Sequence, residues 1–203
     1  MKLVIVDYGM GNLRSVQKAV ELLGFSAEVS GSPQVSAQAD KLILPGVGAF
    51  PQAMANLRKK QLLAVLQDNK KPLLGICLGL QLLLSVGEEF GVTEGLGLVP
   101  GRVQFFRQAA GFPAGLSVPH MGWNDVRQSA RNQLFRDLPE KFSAYFVHSY
   151  YALPDSAAAV SGWTDYGVDF CSALESGNVY GVQFHPEKSG EAGLQILRNF
   201  LAI

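Results

Sequence analysis

Two segments of this 203-residue chain carry residue types that can share one reaction. In Leu73-Leu74-Gly75-Ile76-Cys77-Leu78-Gly79-Leu80-Gln81, a single cysteine sits where an apolar strand would end and a helix begin. Glycines stand two residues to either side of it. Such a corner strains the backbone of the residue that occupies it, and the glycines relieve crowding around it. A helix N-terminus favours negative charge, so a thiol placed there is biased towards the reactive thiolate. The amide of Leu78 would face any oxyanion formed when the sulfur attacks a carbonyl. Taken alone, the segment also fits a structural thiol buried between strand and helix.

A thiolate nucleophile needs a proton shuttle, and the chain has three histidines, His120, His148 and His185. Only His185 has a carboxylate two residues on, in Val182-Gln183-Phe184-His185-Pro186-Glu187. Proline holds the residue before it out of the helical region, so His185 is expected to be extended. Residues two apart in extended backbone face the same side, which lets Glu187 fix the imidazole tautomer and stabilise its cation. Cys77, His185 and Glu187 are therefore the expected reacting group. His120 and His148 are expected to be structural or interface groups. A second oxyanion donor is expected at Val47, in the turn Pro45-Gly46-Val47-Gly48, whose glycines let a peptide plane turn its amide into a site. Cys171 lies inside an apparent strand and is assigned to the core.

The elements that must position these residues come in two styles. Leu3–Val6 and Leu73–Ile76 are short apolar runs that read as buried strands, and Phe25–Val29 and Lys41–Leu44 are further strand candidates. Helices are expected between them: one capped by Asn12 and stopped by Gly24, one from Pro51 to Gln67, and one over Leu78–Val86. This alternation predicts a parallel sheet with helices on its faces. Further on, strands are expected at Arg102–Phe106, Val118–Met121, Ala144–Val147, Ala158–Trp163, Phe170–Glu175 and Val179–Phe184, the last two joined in a hairpin through Ser176-Gly177-Asn178. A closing helix spans Glu191 to Leu201. The fold class is α/β: a mixed, mostly parallel central sheet with helices on both faces and an added antiparallel part. With no repeat or linker in view, residues 1–203 read as one domain.

Composition narrows the function. Seventeen basic residues balance seventeen acidic ones without a basic run, which argues against a nucleic-acid partner. Two cysteines are too few for a secreted disulfide scaffold, so a reducing cytoplasm is expected. The apolar run at the N-terminus is four residues and then meets Asp7, unlike a signal peptide. The stretch Pro72–Val86 is too short to span a bilayer, so no membrane is expected. The histidines and cysteines show no ligand spacing, so neither a metal nor another cofactor is expected.

Gly75-Ile76-Cys77-Leu78-Gly79, together with His185-Pro186-Glu187, resembles the nucleophile corner and histidine–glutamate pair of the class I, triad-type, glutamine amidotransferases. Within that family the likeness narrows. Val6-Asp7-Tyr8-Gly9-Met10-Gly11-Asn12-Leu13, the Pro45–Gly48 turn, Pro119-His120-Met121-Gly122-Trp123-Asn124, Tyr145-Phe146-Val147-His148-Ser149-Tyr150 and Gly181–Ser189 are similar to the branch that serves as glutaminase subunits of imidazole glycerol phosphate synthases. Other members of the class usually carry a double-glycine loop in place of Pro-Gly-Val-Gly.

The resemblance implies hydrolysis of glutamine to glutamate and ammonia through a cysteinyl thioester. It implies that Gly48, Gln81, Glu89, Ser149 and Tyr150 hold the glutamine, and that Trp123 and Tyr145 lie on a partner-facing rim. It also implies a heterodimer with a cyclase subunit, a (β/α)₈ barrel, that uses the ammonia in histidine biosynthesis. A glutaminase feeding another synthase, of the pyridoxal phosphate synthase type, is one alternative, and an inactive regulatory homologue is another. A flavodoxin-like binding module would fit the first half and leave His185-Pro186-Glu187 unexplained.

Overall fold

The computed structural model describes residues 1–129 and 132–203. Strand β1 (Leu3–Val6) is buried at every position. Its alternation divides the core in two, with Leu3 and Ile5 in one apolar cluster and Val4 and Val6 in the other. A strand covered by helices on both faces requires this continuous apolar pattern.

Helix α1 (Leu13–Leu22) turns Val16, Ala19 and Val20 inward. Asn12 occupies its N-cap position, but its side chain makes no capping hydrogen bond. Gly24 follows the last turn with φ of 83°, the conformation for which glycine suits a helix end. Strand β2 is Ala27–Ser30, and a short helix not foreseen in the sequence, α2 (Pro33–Ala37), is capped by Ser32. Strand β3 runs from Lys41 through Gly46, so the first half of the glycine turn is strand.

The single helix expected over residues 51–67 is two, α3 (Phe50–Lys59) and α4 (Leu63–Gln67). Leu57, Leu62 and Leu66 are all fully buried. An unbroken helix would place Leu62 about 140° around the axis from Leu57. Gln61, at φ of 58°, breaks the helix and returns Leu62 to the core.

After β4 (Leu73–Cys77) comes α5, which is only Leu78–Leu82. The expected continuation to Val86 is instead β5 (Leu84–Gly87), because Val86 pairs with Glu94 of β6 (Thr93–Glu94) and Arg102 of β7 (Val99–Phe105). A short leucine-rich run does not distinguish helix from buried strand by its periodicity. The remaining strands are β8 (His120–Gln128), β9 (Lys141–His148), β10 (Tyr150–Pro154), β11 (Val160–Asp165), β12 (Asp169–Ser176) and β13 (Val179–Val182), and helix α6 (Gly190–Ala202) closes the chain. Strand β10 had no counterpart in the sequence reading. The β12–β13 hairpin turns at Gly177-Asn178 as expected.

The sheet order is β2-β1-β3-β4-β13-β12-β10-β7-β5-β6. From β2 to β13 all neighbours are parallel. From β13 onward antiparallel pairing dominates, with β11, β8 and β9 as an antiparallel branch. Helices α1 and α6 cover one face, and α3 and α4 the other.

Helix α5 lies almost in contact with the strands beneath it. A Cβ on Gly79 would stand 1.7 Å from the Leu44 carbonyl oxygen, and one on Gly75 would stand 2.7 Å from the Gly79 backbone. Gly79→Ala should therefore cost about 3 kcal/mol or more, because only backbone can yield. Gly115→Ala, with no neighbour near an added Cβ, should change stability by less than about 0.5 kcal/mol. Urea-unfolding midpoints of the two variants check the contrast.

Candidate active site

Strands β4 and β13 are parallel neighbours, with Val182 beside Ile76. The residues just past their carboxyl ends are thereby brought together, the usual place for a site in an open α/β sheet. Cys77 ends β4 with φ 55° and ψ −111°. A non-glycine residue in that region is strained, and the surrounding glycine contacts hold it there. The thiol is 6% exposed. The expected dipole contribution is limited by the five-residue length of α5, but its first amide, on Leu78, has no intrahelical acceptor and is free to donate.

His185 is extended, with φ −97° and ψ 98°, as its place before Pro186 requires. Glu187 reaches it through a 3₁₀ turn over Pro186–Lys188 rather than along a strand. The Glu187 Oε1 lies 2.9 Å from His185 Nδ1, and the two side chains are 1% and 3% exposed. This contact places the proton on Nδ1 and leaves Nε2 without a hydrogen-bond partner among the described residues. Burial alone would lower the imidazolium pKa. The neighbouring Cys77 sulfur and Glu187 carboxylate outweigh burial and raise it to about 10. Strand β9 fixes the segment: His185 N–H donates to the Tyr145 carbonyl at 2.9 Å, and Ser189 Oγ donates to the His185 carbonyl at 2.7 Å.

Cys77 and His185 open into one cavity of about 290 Å³. Its walls include Val47, Gly48, Leu78, Gln81, Glu89, Ser149 and Tyr150, so the oxyanion and glutamine-holding candidates share it. Gly48 has φ of 99°. Glu89 Oε2 accepts from the Phe50 N–H at 2.7 Å, tying the cavity wall to the start of α3. Gln81 is buried and donates through Nε2 to the Tyr150 carbonyl at 2.9 Å. Glu187 stands behind His185, outside the cavity lining.

Trp123 and Tyr145 lie outside the cavity lining, opposite one another on β8 and β9, with ring centroids 6.2 Å apart. Trp123 is 59% exposed and Tyr145 is half-buried, with Lys188 Nζ 5.7 Å from its ring centroid. Cys171 is buried in β12, and burial pushes its thiol up to about 12.

Two further polar residues of the site were not among the expected ones. His148, set aside as structural, lines the cavity. Gln183 is fully buried, and its Nε2 lies 3.7 Å from Cys77 Sγ. A glutamine in the apolar run Val182–Phe184 was the available signal, because buried amides need partners.

His148 Nδ1 bonds the Tyr150 carbonyl at 2.8 Å, so it carries the proton. His148 Nε2 then accepts from His120 Nδ1 at 3.1 Å, and His120 Nε2 accepts from Asn124 Nδ2 at 3.2 Å. The network is satisfied by two neutral rings.

The fold is that of the glutamine amidotransferases. A solved structure described as "Crystal structure of glutamine amidotransferase" superimposes with a TM-score of 0.76 at 17% identity, covering 100% of this chain and 98% of that one. The chain belongs to the class-I glutamine amidotransferase family, whose model matches residues 4–203. Among individual relatives, "Imidazole glycerol phosphate synthase subunit HisH" of Moorella thermoacetica is 51% identical over 201 residues, covering 98% of this chain and 93% of the relative. The protein of the same description from Syntrophotalea carbinolica is 50% identical over 204 residues, covering 98% of each.

The histidines make stability depend on pH in opposite senses. Burial lowers His120 to about 4 and His148, which also faces the His120 ring, to about 3. Below about pH 6.5 the unfolded chain binds protons on both rings that the folded chain refuses, so stability falls as pH drops. His185 is raised, so its contribution is complete below about pH 6.5 and is lost as pH rises towards its folded value. Together these three histidines place the maximum near about pH 7. Urea midpoints followed across that range should show both limbs, and His120→Phe should flatten the acid limb by roughly half.

Proposed function

We propose that this chain is the glutaminase subunit of an imidazole glycerol phosphate synthase, acting as one domain over residues 1–203. The observation that carries the reading is the juxtaposition of Cys77 and His185 in one cavity, with Glu187 Oε1 2.9 Å from His185 Nδ1.

The Cys77 thiolate attacks the side-chain carboxamide carbon of glutamine, forming a C–S bond and a tetrahedral oxyanion. The Leu78 and Val47 amides donate to that oxygen; losing one such donor raises a barrier by about 3 kcal/mol. His185 Nε2 gives its proton to the amide nitrogen as the C–N bond breaks, and ammonia leaves. The neutral imidazole then takes a proton from water. The hydroxide attacks the thioester carbonyl, and collapse of the second tetrahedral intermediate releases glutamate and the thiolate. Glu187 stabilises the imidazolium at each stage. Gly48, Gln81, Glu89, Ser149 and Tyr150 hold the substrate, with the Glu89 carboxylate suited to its ammonium group.

Ammonia is mostly protonated in neutral water and is then no nucleophile. A closed path to an acceptor keeps it neutral and prevents its loss. The partner in this reading is the cyclase subunit, a (β/α)₈ barrel, docked as a heterodimer on the face that bears Trp123 and Tyr145. The cytoplasm is the compartment that keeps both thiols, Cys77 and Cys171, reduced.

Labelled ammonia release from glutamine, measured with and without the ligand-loaded cyclase, tests the reading. Turnover should be slow for the isolated subunit and rise when the barrel docks. Cys77→Ala should abolish it, and Glu187→Gln should lower kcat by roughly 100-fold or more. An enzyme equally fast with and without the barrel, or a Cys77→Ala variant that still releases ammonia, would refute it. Trp123→Ala should weaken docking without moving the thermal midpoint, because the indole is 59% exposed in the free subunit; titration calorimetry against the cyclase reads the first effect and a melting scan the second.

A further inference from the structure

Gln183 takes no part in the chemistry described above, yet it is fully buried beside the sulfur. It follows β13 directly and is close to Cys77 because Val182 is in register with Ile76. Its backbone N–H donates to the Ser172 carbonyl at 2.9 Å, which fixes the point from which the side chain projects. Its Nε2 donates to Cys77 Sγ at 3.7 Å, and its Oε1 accepts from Gln81 Nε2 at 3.1 Å. Gln81 uses its other amide hydrogen on the Tyr150 carbonyl at 2.9 Å. With both hydrogens engaged, the Oε1 end of Gln81 is the one left for a ligand.

We propose that Gln183 is a positioning residue that sets the nucleophile and the substrate cradle together. Its amide hydrogen favours the Cys77 thiolate over the thiol, because a donor to an ionised acceptor is held more strongly than one to a neutral acceptor. Its amide oxygen fixes the orientation of Gln81. The position demands a donor and an acceptor on one fork of this length. Glutamate would offer oxygens only and would set a like charge against the thiolate. Methionine would fill the space and do neither job. A buried primary amide also costs free energy unless both ends are bonded, and here both are.

The inference rests on the reading of Cys77 as nucleophile, and the experiment separates the two. Gln183→Met and Gln183→Glu are assayed for glutaminase activity in complex with the cyclase, and Cys77 alkylation by iodoacetamide is followed across pH without substrate. Gln183→Met should lower kcat by about 10- to 100-fold, as expected for loss of a hydrogen bond to a charged group. It should also raise the KM for glutamine, slow alkylation near neutral pH and displace the alkylation profile to the alkaline side.

Gln183→Glu keeps the acceptor for Gln81, so kcat and alkylation should fall while KM holds. If neither variant folds, Gln81→Met serves instead. It removes no hydrogen bond to the sulfur, yet it should slow alkylation by releasing Gln183. An unaltered alkylation profile in Gln183→Met, or in Gln81→Met where that variant is the test, overturns the proposal. If the unsubstituted complex releases no ammonia, the reading of Cys77 as a glutaminase nucleophile falls, and the alkylation profiles still decide the role of Gln183.

Discussion

The site depends on one backbone constraint, the corner at Cys77. Strand β4 must stop, reverse into α5 and leave a side chain pointing into a cavity, all within two residues. The chain does this with a positive φ at a non-glycine residue, an arrangement that persists only when its surroundings over-determine it. Here they do so through close backbone approach. Gly46, Gly75 and Gly79 let α5 rest on β3 and β4 at distances that any added Cβ would violate. All five residues of α5 are buried, so the helix is clamped from above as well. The strain at Cys77 is thus offset by the burial of the apolar residues around it.

The second requirement is to bring His185 to that corner from more than a hundred residues away. Parallel pairing of β4 with β13 achieves it, since the two strands end at the same level. Antiparallel strands then stabilise the histidine from the far side. Strand β9 accepts the His185 amide at Tyr145, and Ser189 closes a loop by donating to the His185 carbonyl and accepting from the Tyr145 amide. The antiparallel part of the fold therefore belongs to the site as much as the parallel part does.

The buried parallel strands β1, β3 and β4 were legible in the sequence because apolar runs and intervening amphipathic helices carry their own periodicity. The clustering of Cys77, His185 and Glu187 was legible because glycine spacing and a proline after histidine restrict the backbone in ways that are local. What was lost was decided at a distance. Residues 84–87 look helical until β7 offers them a partner, and the break at Gln61 follows from where Leu57 and Leu62 must both be buried. Gln183 and His148 were missed for the same reason. Nothing beside them in the chain reveals their partners, which are Cys77 and Gln81 for the first and His120 and the Tyr150 carbonyl for the second.

Strands β8 and β9 also join the exposed Trp123 to the cavity wall at His148. Trp123 pairs with Tyr145 and His120 with His148 in one register. Trp123 is exposed and Tyr145 half-buried, whereas both histidines are buried and His148 lines the cavity. From His148 the bonds continue through the Tyr150 carbonyl to Gln81, Gln183 and the Cys77 sulfur. Every donor and acceptor along this path has one consistent assignment only while both rings are neutral. A proton on either would confront an Nε2–H with another donor, Asn124 Nδ2 or His120 Nδ1. The burial that depresses the pKa of His120 and His148 therefore keeps the Asn124–His120–His148 links intact beside the Tyr150 carbonyl that orients Gln81. The two histidines serve here as fixed hydrogen-bonding groups, whereas His185 is the one ring whose charged form is favoured by its neighbours.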